Sequence, residues 1–228
     1  LGLNTAELRA LAQREGAPAY RGSQIAEWLY HRGARTFVEM ASLPGELRAR
    51  LESTYEVGRS SIVTEQTSKD GTVKLLLSLH DGERIEAVGL PYADRVSCCV
   101  STQVGCPIGC VFCATGQSGF TRSLEAGEIV DQVLTVQDVL QSLSSKIYAN
   151  GGRINHVTFM GMGEPLLNYE GTLKAVRLLN GELGIAMRHL TISTVGIVPG
   201  ILRLAQERLQ LTLAVSLHAP TDDLRHKL

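Results

Sequence analysis

A strand followed by a helix is a pattern that repeats from about residue 94 to the end of the sequence. Each repeat joins a short run of apolar and β-branched residues to a longer stretch with helical spacing of its apolar positions. The predicted strands are RVSCCVS, INHVTFMG, RHLTIST and LQLTLAVSLHAP, and the predicted helices lie near 124–143, 169–181 and 196–207. Alternating β and α units imply a parallel sheet or part of a barrel, whose site lies at the carboxyl ends of the strands.

Polar motifs follow the predicted strands. A cysteine-rich segment (residues 106–119, the cysteine loop) follows the first, and the segment 160–168 (the GMGEP loop) follows the second. Ser193 ends the third strand, and Ser216 and His218 follow the fourth. Four β/α units make an open sheet and not a closed barrel. We therefore expect residues 94–228 to form an incomplete α/β barrel, and the sequence to be a fragment of something longer.

Two smaller regions precede this barrel. Residues 1–58 alternate short helical patterns with turns, which predicts a helical accessory domain with helices that start at an N-cap on Ser23 and near Pro44. Residues 59–93 contain three strand patterns joined by turns with the residues Lys-Asp-Gly and Asp-Gly. This pattern predicts a β-meander that connects the accessory domain to the barrel.

The composition is that of a globular protein. Of 228 residues, 44% are hydrophobic and 20% are charged, and no apolar run approaches the ~18 residues that a membrane span needs. The first residues do not resemble a secretory signal, and clustered cysteines do not resemble a disulfide framework. We expect a cytoplasmic monomer that does not bind membranes. The formal net charge of −1 is no footprint of a nucleic-acid-binding protein, and taken alone it favours an enzyme of small molecules.

All five cysteines lie within residues 98–113, and three of them, Cys106, Cys110 and Cys113, have the spacing C-x3-C-x2-C. Three thiolates that converge on one centre can hold an iron–sulfur cluster and leave one iron with an open position. A structural zinc site remains an alternative, with Cys98 or Cys99 as the fourth ligand. Three buried, unliganded cysteines are a further alternative, but they do not require the glycines that surround them.

The spacing of these cysteines, with the aromatic Phe112 between the last two, resembles the signature of radical S-adenosylmethionine (SAM) enzymes. The GMGEP loop supports this resemblance. Gly161 and Gly163 allow close approach of the backbone to a ligand, and Glu164 offers a carboxylate. In radical SAM proteins a stretch of this kind, placed after the second strand, pairs with the amino group of SAM.

Four motifs taken together resemble the RlmN/Cfr family of RNA (adenine-C2) methyltransferases. They are CVSTQVGCPIGCVFCATG, GMGEPLLN, LTISTVGIVPGI and VSLHAPTDDLR, and they occur in the expected order. The resemblance extends from the N-terminal helices to the last residue. Pro165 favours the RlmN branch, because Cfr proteins tend to have Ala at that position.

The resemblance implies a set of site residues and two cofactors, a 4Fe–4S cluster and SAM. The implied cluster ligands are Cys106, Cys110 and Cys113; the implied SAM contacts are Gly163, Glu164, Ser193, Ser216, Leu217 and His218; and the implied catalytic residues are Cys99 and Glu86. Cys99 matches the second reactive cysteine of the family, and Glu86 matches a glutamate assigned as a proton acceptor.

The resemblance also implies the chemistry and the partners. The family transfers a methyl group from one SAM to a cysteine near the C-terminus. A radical derived from a second SAM then attaches that carbon to C2 of adenine, and the resulting protein–RNA crosslink is resolved by the second cysteine with formation of a disulfide. The implied partners are 23S rRNA, the anticodon loop of tRNA and an electron donor such as flavodoxin. Any basic footprint for RNA must be local or lie outside this sequence.

No cysteine follows Cys113, so the methyl-carrying cysteine is expected beyond this fragment. Its absence leaves one alternative, an inactive cluster-binding or RNA-binding remnant. Two further alternatives are a zinc-bound RNA-binding module and a different radical SAM enzyme, such as a glycyl-radical activator, which would lack the Cys99 and SLHAP features present here. Successive strand residues face opposite ways, so at most one of Cys98 and Cys99 can point into a site, and we assign Cys99. For Glu86, an ordinary surface charge is the alternative to a functional role. For Arg122, after the cysteine loop, a charge at a helix start is the alternative to contact with RNA phosphate or the SAM carboxylate.

Overall fold

The computed structural model describes residues 1–143 and 149–227 of the chain. Its N-terminal region is helical, as predicted. It consists of α1 (Thr5–Arg14), α2 (Tyr20–Ala26) with a π-helical continuation (Glu27–His31), and α3 (Gly45–Thr54). Asn4 caps α1, because its side chain accepts from the backbone N–H of Glu7 while the Glu7 carboxylate accepts from the N–H of Asn4.

The predicted N-cap at Ser23 is wrong. The helix begins three residues earlier, where the N–H of Arg21 donates to the carbonyl of Pro18 at 2.9 Å. The hydroxyl of Ser23 instead accepts from Arg9 Nε at 2.8 Å, which joins α1 to α2. Ser23 therefore lies inside the helix and not at its start. The predicted start near Pro44 is confirmed, since Pro44 is the N-cap residue of α3.

The three predicted strands of the meander are present, and they belong to the same sheet as the strands that follow. The strands are β1 (Ser61–Thr67), β2 (Val73–Ser78), β3 (Arg84–Pro91), β4 (Val96–Cys99), the short hairpin β5 (Gln103–Gly105) and β6 (Phe120–Ser123), β7 (His156–Phe159), β8 (Leu190–Thr194) and β9 (Thr212–Val215). The main sheet has the order β1-β2-β3-β4-β7-β8-β9. Neighbours from β1 to β4 are antiparallel, and neighbours from β4 to β9 are parallel.

Helices connect the parallel strands, which confirms the predicted α/β class. The connecting helices are α5 (Ala126–Ser142), α6 (Tyr169–Gly181) and α7 (Val198–Gln206), while α4 (Ala114–Gln117) lies within the cysteine loop and α8 (Asp222–Arg225) follows β9. The helix α5 packs so closely on the sheet that a Cβ on Gly89 of β3 would lie 2.8 Å from Val136 and 3.1 Å from Leu140. Only a glycine therefore permits this helix–sheet distance.

One apolar core runs through the described part of the chain, from α1 to α7. The buried residues of β2 and β3 alternate with partly exposed ones, which is the period of a sheet with one covered face. Strand β9 lies at the edge of the sheet, and its Leu213 and Val215 are exposed. No helix in residues 1–143 or 149–227 is long and apolar enough to cross a membrane.

Candidate functional site

Partly exposed side chains from four adjacent strands share one face of the main sheet. Cys99 of β4 lies opposite Val88 of β3 and opposite Thr158 of β7, and Thr158 lies opposite Thr191 of β8. Directly paired residues project to the same face, and residues two apart on one strand do so as well. Glu86 and Ser193 therefore belong to this face too. We call it the open face, because its members are less buried than those of the face under α5.

The adjacent cysteines divide between the two faces. Cys98 is fully buried and lies opposite Gly89, on the side covered by α5. Cys99 belongs to the open face and is partly exposed. Burial raises the pKa of both thiols; for Cys99, hydrogen bonding to the Thr158 hydroxyl and to the backbone of Met160 opposes this effect.

Glu86 is held through both its side chain and its backbone. Its Oε1 lies 2.7 Å from the Nζ of Lys74 on β2, and both side chains are somewhat less than half exposed. Its carbonyl accepts a hydrogen bond from the Ser101 hydroxyl at 2.7 Å. Val88, the partner of Cys99, lies two residues from Glu86 on β3, so the carboxylate and the thiol are diagonal neighbours on the open face.

The cysteine loop is framed by the β5–β6 hairpin. The N–H of Cys106 donates to the carbonyl of Gly119 at 2.8 Å, which closes the base of the loop. Gly105 has a φ of +74°, and a Cβ at this position would collide with the same carbonyl, so the closure requires glycine. Within the loop, the N–H of Cys113 donates to the carbonyl of Cys110 at 3.0 Å.

The three cysteines of this loop are free, and each is partly exposed. Burial raises the pKa of Cys106, and the nearby Cys110, Cys113 and Glu164 raise it further. Among the residues that the structure describes, no three His, Cys, Asp or Glu side chains are already grouped as metal ligands. Three free thiols, mutually close on one glycine-containing loop, still form a donor set of the type that iron–sulfur clusters require, so the residues present fit such a group.

The GMGEP loop packs against residues 100–103, which lead from β4 to the cysteine loop. The N–H of Gly161 donates to the carbonyl of Val100 at 3.0 Å, and the N–H of Thr102 donates to the carbonyl of Met162 at 2.8 Å. Gly163 has a φ of +100°, and a Cβ there would lie 2.6 Å from the side chain of Gln103. The Oε1 of Gln103 accepts from the N–H of Glu164 at 2.9 Å, so the two loops are joined directly.

The carboxylate of Glu164 is buried and bonded to backbone groups. Its Oε1 accepts from the N–H of Leu166 at 3.0 Å, and its Oε2 accepts from the N–H of Val195 at 2.9 Å. Glu164 is 2% exposed. The side chain therefore connects the GMGEP loop to the end of β8, while the backbone of Gly161, Met162 and Gly163 remains less buried.

The other predicted SAM contacts lie at the ends of β8 and β9. The hydroxyls of Ser193 and Ser216 lie 3.4 Å apart. Leu217 is exposed, and His218 has a φ of +59°, an unusual backbone conformation for a residue other than glycine. The ring of His218 lies 5.0 Å from the ring of Phe112, which brings the segment after β9 into contact with the cysteine loop.

Three buried polar residues around this site carry no signal in the sequence: Ser101, Gln103 and Gln132. Gln132 of α5 brackets Ser101, accepting from its N–H at 2.7 Å and donating to its carbonyl at 3.0 Å. The Ser101 hydroxyl also accepts from the N–H of Met162 at 2.9 Å. Ser101 thereby connects β3, α5 and the GMGEP loop. Polar residues in a loop are ordinarily exposed, and only the packing shows that these are buried.

Arg122 has structural partners. Its Nε lies 2.7 Å from Asp81 in the β2–β3 turn, and its Nη2 lies 2.8 Å from Glu128 in the first turn of α5. The hydrogen bonds to Glu128 and then to Asp81 raise the pKa of the guanidinium. This geometry favours the helix-start interpretation of Arg122.

Comparison with known proteins agrees with the fold. The model for the radical SAM superfamily matches residues 100–228, which is more than half of the chain. The chain therefore belongs to the radical SAM superfamily. A second model, described as the ribosomal RNA large subunit methyltransferase N-terminal domain, matches residues 1–57.

The similarity to individual proteins extends along the whole chain. It is 53% identical over 228 residues to a probable dual-specificity RNA methyltransferase RlmN from Thermosynechococcus vestitus, and 51% identical to another from Gloeobacter violaceus. The alignments cover 100% of this chain and 64% and 62% of those proteins. The chain thus spans less than two thirds of their length. The predicted resemblance to RlmN proteins is confirmed.

A solved structure has the same fold. The radical SAM methyltransferase from Sphaerobacter thermophilus superposes with a TM-score of 0.92 at 43% identity, over 100% of this chain and 65% of the other. The predicted partial radical SAM barrel is confirmed by this match.

Proposed function

We propose that this chain belongs to an RNA methyltransferase of the RlmN type, which methylates C2 of a specific adenosine in 23S rRNA and in the anticodon loop of tRNA. The observation that carries the proposal is the placement of Cys99 and Glu86 on the open face, beside strand ends that carry the GMGEP loop and Ser193. The similarity to RNA methyltransferases named RlmN over the whole chain supports it.

Two cofactors belong to the proposal. Cys106, Cys110 and Cys113 would hold a 4Fe–4S cluster through their thiolates, and SAM would bind at Gly163, Glu164, Ser193, Ser216, Leu217 and His218. When bound, the cluster would supply the electron that cleaves SAM. The backbone of the GMGEP loop is the accessible part of its site, so we assign the contact at Gly163 and Glu164 to backbone atoms and a supporting role to the Glu164 carboxylate.

Cys99 and Glu86 would act on the protein–RNA crosslink. Glu86 would accept the proton that leaves C2 of adenine as the adduct radical gives up its unpaired electron, which returns to the oxidised cluster, so that a closed-shell crosslink remains. The thiolate of Cys99 would attack the crosslinked cysteine sulfur and form a disulfide, while the electron pair of the broken carbon–sulfur bond stays on the exocyclic carbon. A proton then completes the methyl group. The crosslinked cysteine is a further residue of the full-length protein, outside these 228 residues.

The domain organisation is part of the proposal. Residues 1–58 form the accessory domain, residues 59–93 connect it to the core, and residues 94–228 supply the radical SAM core. Because a base in a stack cannot reach a buried reaction centre, the adenosine must be extruded from the RNA, which costs least in loops. The proposed setting is the cytoplasm, with a monomeric enzyme and an electron donor such as flavodoxin.

The test uses the full-length protein, purified without oxygen and supplied with SAM, a reductant and a transcript that contains the rRNA or tRNA site. The expected products are 5′-deoxyadenosine and 2-methyladenosine, both measured by mass spectrometry. Formation of 5′-deoxyadenosine without any methylated adenosine in either RNA would contradict the proposed substrate.

Two variants test the residue roles. Cys99→Ala should leave SAM cleavage intact and accumulate an RNA–protein adduct, because the crosslink forms and is not resolved. Cys98→Ala is the matched control. The thiol of Cys98 lies on the face of the sheet that α5 covers, so this substitution should leave turnover unchanged. Normal turnover by Cys99→Ala would remove Cys99 from the mechanism. Glu86→Gln should likewise retain SAM cleavage and lose methylated product.

A further inference from the structure

A buried ion pair joins the accessory region to α5. Arg59 Nε lies 2.5 Å from Asp131 Oδ1, and both side chains are 2% exposed. The same guanidinium donates to the carbonyl of Gly33 at 2.8 Å and to Asp138 Oδ2 at 2.8 Å. Asp131 also accepts from the N–H and the hydroxyl of Ser60. Buried charges are rarely retained without such complete pairing.

The groups bonded to Arg59 and Asp131 come from three separate parts of the chain. Gly33 belongs to the accessory region, Ser60 to the connection before β1, and Asp131 and Asp138 to α5. Arg35 of the accessory region joins the group by donating to the Ser60 carbonyl at 3.1 Å. A planar guanidinium with several donors suits such a junction, because it can bind all of these groups at once in one fixed orientation.

The helix α5 carries these contacts on one side and the contacts to the candidate site on another. Asp131 and Asp138, seven residues apart, lie on one helical stripe that faces the accessory region. The side chain of Gln132 forms hydrogen bonds with the N–H and the carbonyl of Ser101, and Val136 packs over Gly89 of β3. One rigid helix therefore touches the accessory region and the backbone that leads to the cysteine loop.

We infer that Arg59 is a positioning residue. By binding both the accessory domain and α5, it holds the accessory domain in one orientation relative to the open face. Its role is to keep an RNA that contacts the accessory domain correctly positioned relative to the candidate functional site. A buried ion pair suits this purpose better than apolar packing does, since its geometry is directional while its net stabilisation is small. The RNA part of this inference rests on the proposed function.

The experiment compares Arg59→Lys with wild type in the full-length holoenzyme. Lysine keeps the charge but cannot bind Asp131, Asp138 and the Gly33 carbonyl together. The matched control is Arg177→Lys. Arg177 lies on α6 and forms an exposed ion pair with Glu207, the residue that follows α7. Asp131→Asn is the second variant, and it is decisive if Arg59→Lys fails to fold.

Hydrogen–deuterium exchange is the first readout, and it does not depend on activity. We expect faster amide exchange around residues 33–37 and 59–60 in Arg59→Lys and in Asp131→Asn, with exchange in β7 and β8 unchanged. The control should match wild type throughout. Amide exchange at the wild-type rate in both Arg59→Lys and Asp131→Asn would overturn the inference.

Kinetics are the second readout. Small misplacements of a substrate cost up to ~100-fold in rate, so we expect kcat/KM for RNA methylation to fall by about tenfold or more, mainly through KM. Formation of 5′-deoxyadenosine without RNA should stay within about twofold of wild type, because the site itself is intact. A parallel loss of both activities would show a merely structural role and overturn the inference. If wild type itself forms no methylated RNA, the proposed function fails, and the exchange experiment still decides the role of Arg59.

Discussion

The carboxylate of Glu164 accepts a hydrogen bond from the N–H of Val195 at 2.9 Å, and this bond joins the GMGEP loop to the end of β8. The second oxygen accepts from Leu166, so a buried side chain serves two backbone donors. Two strand ends that the proposed SAM site requires are thereby held together. Glu164 therefore stabilises the arrangement of these two strand ends through its own hydrogen bonds.

Glu164→Gln tests this connection. The amide nitrogen of glutamine cannot accept a hydrogen bond, so one buried backbone N–H loses its partner at a cost of about 1–3 kcal/mol in the free energy of unfolding. Urea denaturation measures the loss. Glu170→Gln is the control, because Glu170 is a surface residue paired with Arg203, and it should change stability by less than ~0.5 kcal/mol. Equal effects of the two substitutions would contradict the role of Glu164.

Gly163→Ala separates a steric requirement from backbone strain. At Gly163, with a φ of +100°, an added Cβ meets the side chain of Gln103 at 2.6 Å, whereas at Gly196, with a φ of +105°, its nearest neighbour is the Arg225 guanidinium at an ordinary 3.5 Å. Gly196→Ala is therefore the control, because both substitutions place alanine at nearly the same unfavourable φ. Only Gly163→Ala adds overpacking of about 1–3 kcal/mol, and thermal unfolding of the two variants should differ by that amount. Equal destabilisation would mean that Gln103 moves aside freely.

The buried thiols make stability depend on alkaline pH. Burial raises the folded-state pKa of Cys98 and Cys99 above the unfolded value. Their contribution to stability is therefore fully present below about pH 8.5, the usual thiol pKa, and is lost as the pH rises toward the folded value. Each thiol should contribute a fall of up to ~1.4 kcal/mol per pH unit in that window.

Denaturation between pH 7.5 and 10 checks this dependence, a window placed about the usual thiol pKa of ~8.5. Cys98→Ala should reduce the slope of stability against pH. Val130→Ala, at a buried position of α5 without a titratable group, should lower stability and leave the slope unchanged. An unaltered slope in Cys98→Ala would show that other groups cause the alkaline loss.

Metal content distinguishes the cluster from the zinc alternative. Protein purified and reconstituted without oxygen should contain iron and acid-labile sulfide in equal amounts, and Cys106→Ala should lose both. Cys98→Ala should retain them, because its thiol lies on the covered face of the sheet. Zinc at one per chain without sulfide, in wild-type protein, would identify a structural zinc site instead.

Most of the secondary structure could be predicted from the sequence, because it depends on local periodicity. The meander and the later strands follow patterns that extend over a few residues, and the helix predicted near 124–143 is observed as Ala126–Ser142. The start of α2 could not be predicted correctly, since the Ser23 hydroxyl binds Arg9 of α1 and does not cap a helix, which depends on how the two helices pack. The meander and the parallel strands form one sheet, in which the meander is the antiparallel half. This could not be predicted, because it depends on which strands pair, and pairing is not a local property.

The sequence by itself determined the spacing of Cys106, Cys110 and Cys113 and the order of strands and helices, because covalent connectivity and side-chain period are written in neighbouring residues. Only the tertiary structure decided that Cys99 shares the open face with Glu86. The backbone partners of Glu164 and the junction at Arg59 were likewise decided by tertiary packing. Most of these relationships join residues more than ten positions apart, and the bonds of Glu164 and Arg59 exist because packing brings buried polar groups to partners that compensate for lost water.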